Sequence, residues 1–150
     1  MKAALDTNIL CYAEGINGPA RRDQALNLVQ SLPQGAVVLP VQVMGELFTM
    51  LVRKAGRSAA DARASVQSWR DAFPIIDTTD TILRAATDLA VDHHLGIWDA
   101  IILSATAESG CRILLSEDLQ DGFTWNGVTI VNPFADTTPP LLQVLLRTGA

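Results

Sequence analysis

The chain has 150 residues, with 16 Asp and Glu against 11 Lys and Arg, so it carries a formal charge of −5 and a pI near 4.8. Hydrophobic residues make up 49% and charged residues 18%, which suits one domain over residues 1–150 and excludes a disordered tail, a collagen-like repeat or a solvated linker. The longest uncharged apolar run, Ala36 to Met44, is interrupted by Pro40 and Gln42 and falls far short of the roughly 20 residues that cross a bilayer.

From the N-terminus, Lys2 to Leu5 reads as a strand, and Asn8 to Glu14 as a short helix closed by Gly15 and the turn residues Asn17, Gly18 and Pro19. Ala25, Leu26, Leu28 and Val29 mark a second helix. After the breaker Pro33-Gln34-Gly35, Ala36 to Leu39 reads as a strand, and Val41 to Ala55 as a helix with apolar spacing at Met44, Leu47, Phe48 and Leu51. Ser58 can cap a helix reaching about Ala72, Ile75 and Ile76 form a short strand, and Thr79 or Asp80 can cap a helix that reaches about His93 and is ended by Gly96. Trp98 to Glu108 is a strongly apolar helix stopped by Gly110, followed by strands at Arg112 to Leu115 and Val128 to Val131, and by a tail helix starting near Pro139 and Pro140. Short apolar strands separated by helices imply a mostly parallel sheet covered on both faces: a three-layer α/β/α fold.

Asp6, Thr7 and Asn8 fall where the apolar stretch of a leader would have to run, so the expected location is the cytoplasm. Cys11 and Cys111 show no CxxC spacing and read as small buried hydrophobes in a reducing compartment rather than as zinc ligands.

Open α/β sheets bind ligands beyond the carboxyl ends of their strands, and the residues found there are acids. Asp6 ends the first strand; Asp118 follows I-L-L-S, with Glu117 and Asp121 beside it; Glu46 lies in the second turn of the helix leaving the second strand. Asp99, in G-I-W-D-A-I-I-L-S-A, shares its helical side with Ile102, Leu103 and Thr106. An acid among apolar neighbours needs a cap, a counter-charge or a metal.

Each acid also has a plain structural explanation. Asp6 can cap the helix that begins near Asn8, Asp99 suits a first turn, Asp118 and Asp121 suit a solvated turn, and Glu46 falls in an ordinary exposed stripe with Gln42, Thr49 and Arg53. None of these explains why all of them fall on one sheet edge. Among the other candidates, Arg21 and Arg22 read as a solvated helix edge, and Arg53 and Lys54, with Arg57 close by, as cations expected at a helix end. Arg112 belongs on the edge opposite the acids, His93 and His94 on a wet helix end rather than in a ligand set, and Trp98 and Phe48 in the core rather than as base-stacking platforms.

If the acids converge, charge selects a cofactor. Two carboxylates about 6 Å apart repel by about 3 kcal/mol at an effective dielectric near 20, and no Lys or Arg in these motifs offsets that. Oxygen-only ligands suit Mg²⁺ or Mn²⁺. Two such ions would bring the chain from −5 to −1, so the acidic balance does not exclude a polyanionic substrate.

L-D-T-N near the start, G-E-L after the second strand, I-W-D-A-I-I, L-L-S-E-D-L-Q-D-G and the closing V-N-P-F together resemble the PIN-domain nucleases, and among them the VapC-type toxins of bacterial toxin–antitoxin pairs. The likeness runs from about Ala4 to Phe134. It implies that Asp6, Glu46, Asp99 and Asp118 are the catalytic acids, with Asp6, Asp99 and Asp118 on the metal, Asn8 and Ser116 holding the acids in place, and Asp121 a fifth member of the cluster. Many relatives have Asn before the last essential Asp; Glu117 stands there in this chain and alters the local charge. The activity implied is metal-dependent hydrolysis of RNA phosphodiesters by water, leaving 5′-phosphate and 3′-hydroxyl ends, with an antitoxin that blocks the pocket and a homodimeric toxin.

Two rivals are a haloacid-dehalogenase-like phosphohydrolase, which wants a second Asp where Asn8 stands, and a PIN-like module that binds RNA or a partner without cutting. GxSxG, P-loop and GxGxxG motifs do not occur, and Leu119 occupies a ligand position of an EF-hand reading.

Overall fold

A computed structural model describes residues 1–148. Its elements run β1 (Ala3–Leu5), α1 (Thr7–Ala13), α2 (Pro19–Ser31), β2 (Val37–Pro40), α3 (Val41–Arg53), α4 (Ala59–Ala72), β3 (Ile75–Ile76), α5 (Asp80–His93), α6 (Ile97–Glu108), β4 (Ile113–Leu115), β5 (Thr124–Trp125), β6 (Val128–Val131) and α7 (Pro140–Arg147). The six strands lie in the order β3-β2-β1-β4-β6-β5, all parallel except β5.

The central strands are apolar on both sides of the pleat. Ala3, Ala4 and Leu5 of β1 and Ile113, Leu114 and Leu115 of β4 are completely buried, as expected of a sheet covered on both faces. Ala4 stands in register with Val38 of β2 and Leu114 of β4. The chain steps one way across the sheet from β1 to β2 to β3, then returns past β1 to β4. Right-handed crossovers therefore put α1 to α4 on one face and α5 and α6 on the other. Helix α6, apolar almost all round, packs against β2, β4 and β6 and carries α5 on its outside.

That path makes β1 and β4 the pair where the strand order reverses. Their carboxyl ends deliver Asp6 and Ser116 to the same crevice, the position at which open α/β sheets bind ligands.

Several boundaries follow local chemistry. Ser58 Oγ accepts the Asp61 amide at 3.1 Å and Thr79 Oγ1 the Ile82 amide at 3.2 Å, capping α4 and α5. Gly96, expected to end α5, instead precedes α6 as its N-cap, and α5 closes at His94, whose φ of 58° is left-handed. The hairpin strand β5 was not expected from its two residues. It is made by Asn126 and Gly127, both at positive φ (46° and 80°), which form the tight two-residue turn that reverses the chain into β6. Among the described residues, no helix is long and apolar enough to cross a membrane.

Candidate active site

Asp6 is the first residue beyond β1 and the N-cap of α1, and only 4% of its surface is exposed. Its Oδ1 accepts the Thr7 amide at 2.8 Å, and its Oδ2 accepts the Ser116 hydroxyl at 2.7 Å and the Asn8 side-chain amide at 3.2 Å. Ser116, completely buried at the end of β4, accepts in turn from Asn8 Nδ2 and from the Asp118 and Leu119 amides, each at 3.2 Å. Asn8 Oδ1 accepts the Glu117 amide at 3.2 Å. Asn8 and Ser116 thus tie the end of β1 to the loop after β4 and set the start of the segment that carries Asp118.

Glu46 approaches from α3. Thr7 Oγ1 donates to its Oε1 at 2.9 Å and Gln42 Nε2, one turn earlier, to its Oε2 at 3.0 Å. Asp99 stands half-buried in the first turn of α6. A cavity of about 520 Å³ is lined by Thr7, Asn8, Glu46 and Asp118, and a second of about 610 Å³ by Glu46 and Asp99; Gln42 and Glu46 form the wall between them.

The charges of the acids act on one another. Burial pushes the Asp6 carboxyl from 3.8 up to about 6; the Ser116 and Thr7 hydrogen bonds oppose this, while the charges of Asp99 and Glu46 add to it. Asp99 is also raised, first by burial and then by Glu46 and Asp118. Cys11, beneath the site, is driven to about 12 by burial, with Asp6, Glu46 and Asp118 adding and Lys54 opposing. Four carboxylates from four parts of the chain therefore repel one another at one sheet edge.

The donor set is carboxylate, hydroxyl and amide oxygen, without sulfur or imidazole, which fits a hard divalent cation in donor type and in charge. It is not a closed cage: among the described residues, no three His, Cys, Asp or Glu side chains are grouped to hold a metal ion as they stand. Each Glu46 oxygen accepts one hydrogen bond, from Thr7 or Gln42, and Asp6 Oδ1 accepts one from Thr7, which leaves each of these oxygens a lone pair for a cation.

Other expectations fare differently. Asp121 is exposed and accepts the Asn132 amide at 2.9 Å, at the turn after β6. Arg21, expected on a solvated edge, is a clamp. It pairs with Glu117 at 3.1 Å and lies 5.4 Å from the Tyr12 ring centre and 4.7 Å from that of Phe134, while the Tyr12 hydroxyl donates to Glu117 at 2.9 Å. Glu117 is thereby neutralised beside Asp118. Trp98 and Phe48, expected in the core, are 61% and 37% exposed, because the apolar stripes of α6 and α3 are already filled by Ile101, Ile102, Met44 and Leu47. His93 lies at the wet end of α5, its ring edge-on to Phe123 at 5.3 Å. Thr7 and Gln42 were missed; Gln42 falls one helical turn before Glu46, a spacing that brings the two side chains together.

Residues 3–121 match the family model of the PIN domain. No curated protein sequence matches the chain. Among solved structures, it is similar to the toxin VapC20 of Mycobacterium tuberculosis, described as cleaving the sarcin–ricin loop, with 24% identity and a TM-score of 0.67 over 78% of this chain and 90% of that one. It is also similar to a toxin–antitoxin complex from Klebsiella pneumoniae, at 22% identity and a TM-score of 0.63, covering 89% of this chain and 98% of the other. A third likeness is to VapBC2 of Rickettsia felis bound to a DNA fragment from its promoter, at 15% identity and a TM-score of 0.63 over 87% and 97%. At these identities the structural likeness speaks to the fold.

Proposed function

This chain belongs to the PIN-domain family, and from that premise we propose that it is a Mg²⁺- or Mn²⁺-dependent endoribonuclease, the toxin of a type II toxin–antitoxin pair. The observation that carries the reading is the meeting of Asp6 and Ser116 at 2.7 Å across the strand pair where the sheet order reverses, with Glu46, Asp99 and Asp118 feeling one another's charge around them. A divalent cation there supplies Lewis acidity toward a phosphodiester and toward a water molecule. Asp6, Asp99 and Asp118 hold it, and Glu46 serves as a further ligand or as the proton acceptor.

The rest of the site keeps those groups in place. Asn8 and Ser116 hold Asp6 by one oxygen and keep the loop bearing Asp118 close. Tyr12 and Arg21 take up the charge of Glu117, so that it adds less repulsion to Asp118. Attack by water at phosphorus with the P–O3′ bond breaking, the 3′ oxygen leaving as a hydroxyl, gives products with 5′-phosphate and 3′-hydroxyl ends. Similar structures occur in toxin–antitoxin complexes, which supports an antitoxin partner; we extend the reading to an antitoxin that covers this edge and to a homodimer acting in the cytoplasm. The haloacid-dehalogenase-like alternative loses its footing, since Asn8 spends both ends of its amide on Asp6, Ser116 and Glu117 rather than serving as an acid.

The test is incubation of the purified protein with RNA and Mg²⁺ or Mn²⁺, with chelator and Asp99→Asn as controls. Cleavage is expected only in the untreated wild type. Cutting that persists in the variant or in chelator would overturn the metal-dependent reading, and binding without cutting under every condition would favour a silent PIN-like module.

A further inference from the structure

Three cavities lie side by side along α3 and share their walls. The one bearing Trp98 and Asp99 meets the central one at Gln42 and Glu46, and the central one meets a third, of about 590 Å³, at Asn17 and Lys54. Together they make one groove that passes the acids. On each side of the acids it carries a side chain that the fold leaves unused.

At one end is Trp98, next to Asp99 and 61% exposed. Among the described residues its indole pairs with no other ring, although burying an aromatic of this size is ordinarily among the larger gains in folding. On the other side of the acids, where the central and third cavities meet, is Lys54, the C-cap of α3, which among the described residues makes no ion pair. Its neighbour Arg57 is committed to Glu14 at 3.3 Å and to Ser65 at 2.9 Å.

A groove floored with carboxylates repels a polyanion along most of its length, so a strand lying there needs a cation and an apolar hold away from the acids. An exposed indole face takes a base of any sequence by stacking, and a lysine ammonium takes a backbone phosphate. A duplex keeps its bases stacked on one another, so the indole can be used only by an unpaired base. We infer that the groove is a single-strand RNA track, in which Trp98 stacks an unpaired base on one side of the acidic site and Lys54 holds a backbone phosphate on the other. The inference rests on the ribonuclease reading for its substrate class; both residues bind and position, and neither touches the reacting atoms.

Two measurements test it. Cleavage of a single-stranded oligoribonucleotide is followed in Trp98→Ala, Trp98→Phe and Lys54→Gln. Losing one stacked base raises KM about tenfold while kcat stays near wild type, and Trp98→Phe recovers most of the loss because a ring remains. Lys54→Gln raises KM severalfold and takes about 0.7 from the slope of log affinity against log salt, the share of one phosphate contact on a single strand. In the second measurement the oligonucleotide is titrated into Asp99→Asn in Mg²⁺ and indole fluorescence is read. Quenching is expected, and most of it is lost when Trp98→Phe is added, since neither Trp69 nor Trp125 lines the groove, and Trp69 reaches it only through its hydrogen bond to Glu14.

A wild type that cleaves while Trp98→Ala leaves KM unchanged overturns the track and spares the ribonuclease reading. Quenching by RNA without cleavage under any metal does the reverse. Neither quenching nor cleavage overturns both. If Trp98→Ala leaves KM unchanged but weakens self-association or the grip of a protein partner, the face belongs to a protein contact and the track is likewise overturned.

Discussion

Asp6 sets the energetic character of the site. Its carboxyl titrates near 6 in the folded protein against 3.8 ordinarily, so the native state binds this proton more tightly than the unfolded chain does. Its contribution to stability is therefore full below about pH 4 and is lost as pH rises through about 6; that displacement is worth about 3 kcal/mol. Urea midpoints of the metal-free protein are expected to fall between pH 5 and pH 7. In Asp6→Asn, which keeps the shape without the charge, the fall should be shallower and the midpoint at pH 7.5 higher than in wild type, with cleavage abolished. A variant that is less stable at pH 7.5 would show that Asp6 is held by its hydrogen bonds more than it is penalised by burial. Ser116 is the complementary case. Ser116→Ala removes the donor at 2.7 Å from a buried carboxylate and is expected to cost about 1–3 kcal/mol in chemical denaturation, with activity falling further than stability because Asp118 loses its anchor as well.

At the level of elements, what was legible in the sequence depended on how many residues carried each signal. The long helices announced themselves through repeated apolar spacing and through caps such as Ser58 and Thr79, and the buried strands through unbroken runs such as I-L-L. Asp6, Glu46, Asp99 and Asp118 were legible as candidates because acids placed after strands or among apolar residues are out of place. Side-chain exposure was not. Trp98 reads as core by type, yet α6 already presents Ile101 and Ile102 to the sheet, and only packing reveals that the indole is surplus. Nor was Arg21 legible as a clamp, because its partners Tyr12, Glu117 and Phe134 come from three other places in the chain. The missed hairpin rests on Asn126 and Gly127 alone. Its turn precedes β6 and so lies at the sheet edge opposite the acids. Gly127→Ala places a side chain at a φ of 80° and is expected to cost about 1–2 kcal/mol while leaving kcat and KM unchanged. A loss of activity on that substitution would mean that the two edges of the sheet are coupled.

For the whole molecule, charge sets the balance. A chain of net −5 that gathers four carboxylates at one edge stores repulsion in its folded state, and the unfolded chain relieves that repulsion by separating them. A divalent cation that engages the folded cluster better than the unfolded chain must therefore raise stability by mass action, by about 2.7 kcal/mol at a hundred times its Kd. Thermal unfolding without RNA reads this directly. Titrating Mg²⁺ or Mn²⁺ should raise the Tm of the wild type progressively, with a larger gain at pH 7.5 than at pH 5, where the proton on Asp6 competes with the ion. Asp99→Asn should begin from a higher Tm, having less repulsion to relieve, and should respond more weakly to the metal. Because the side chains are not closed into a cage, Thr7→Val and Gln42→Ala, which release Glu46 from its two hydrogen bonds and let it move more freely, should shift the titration to lower metal concentration. An unchanged Tm across millimolar metal at pH 7.5 would mean that the acids do not converge on one ion.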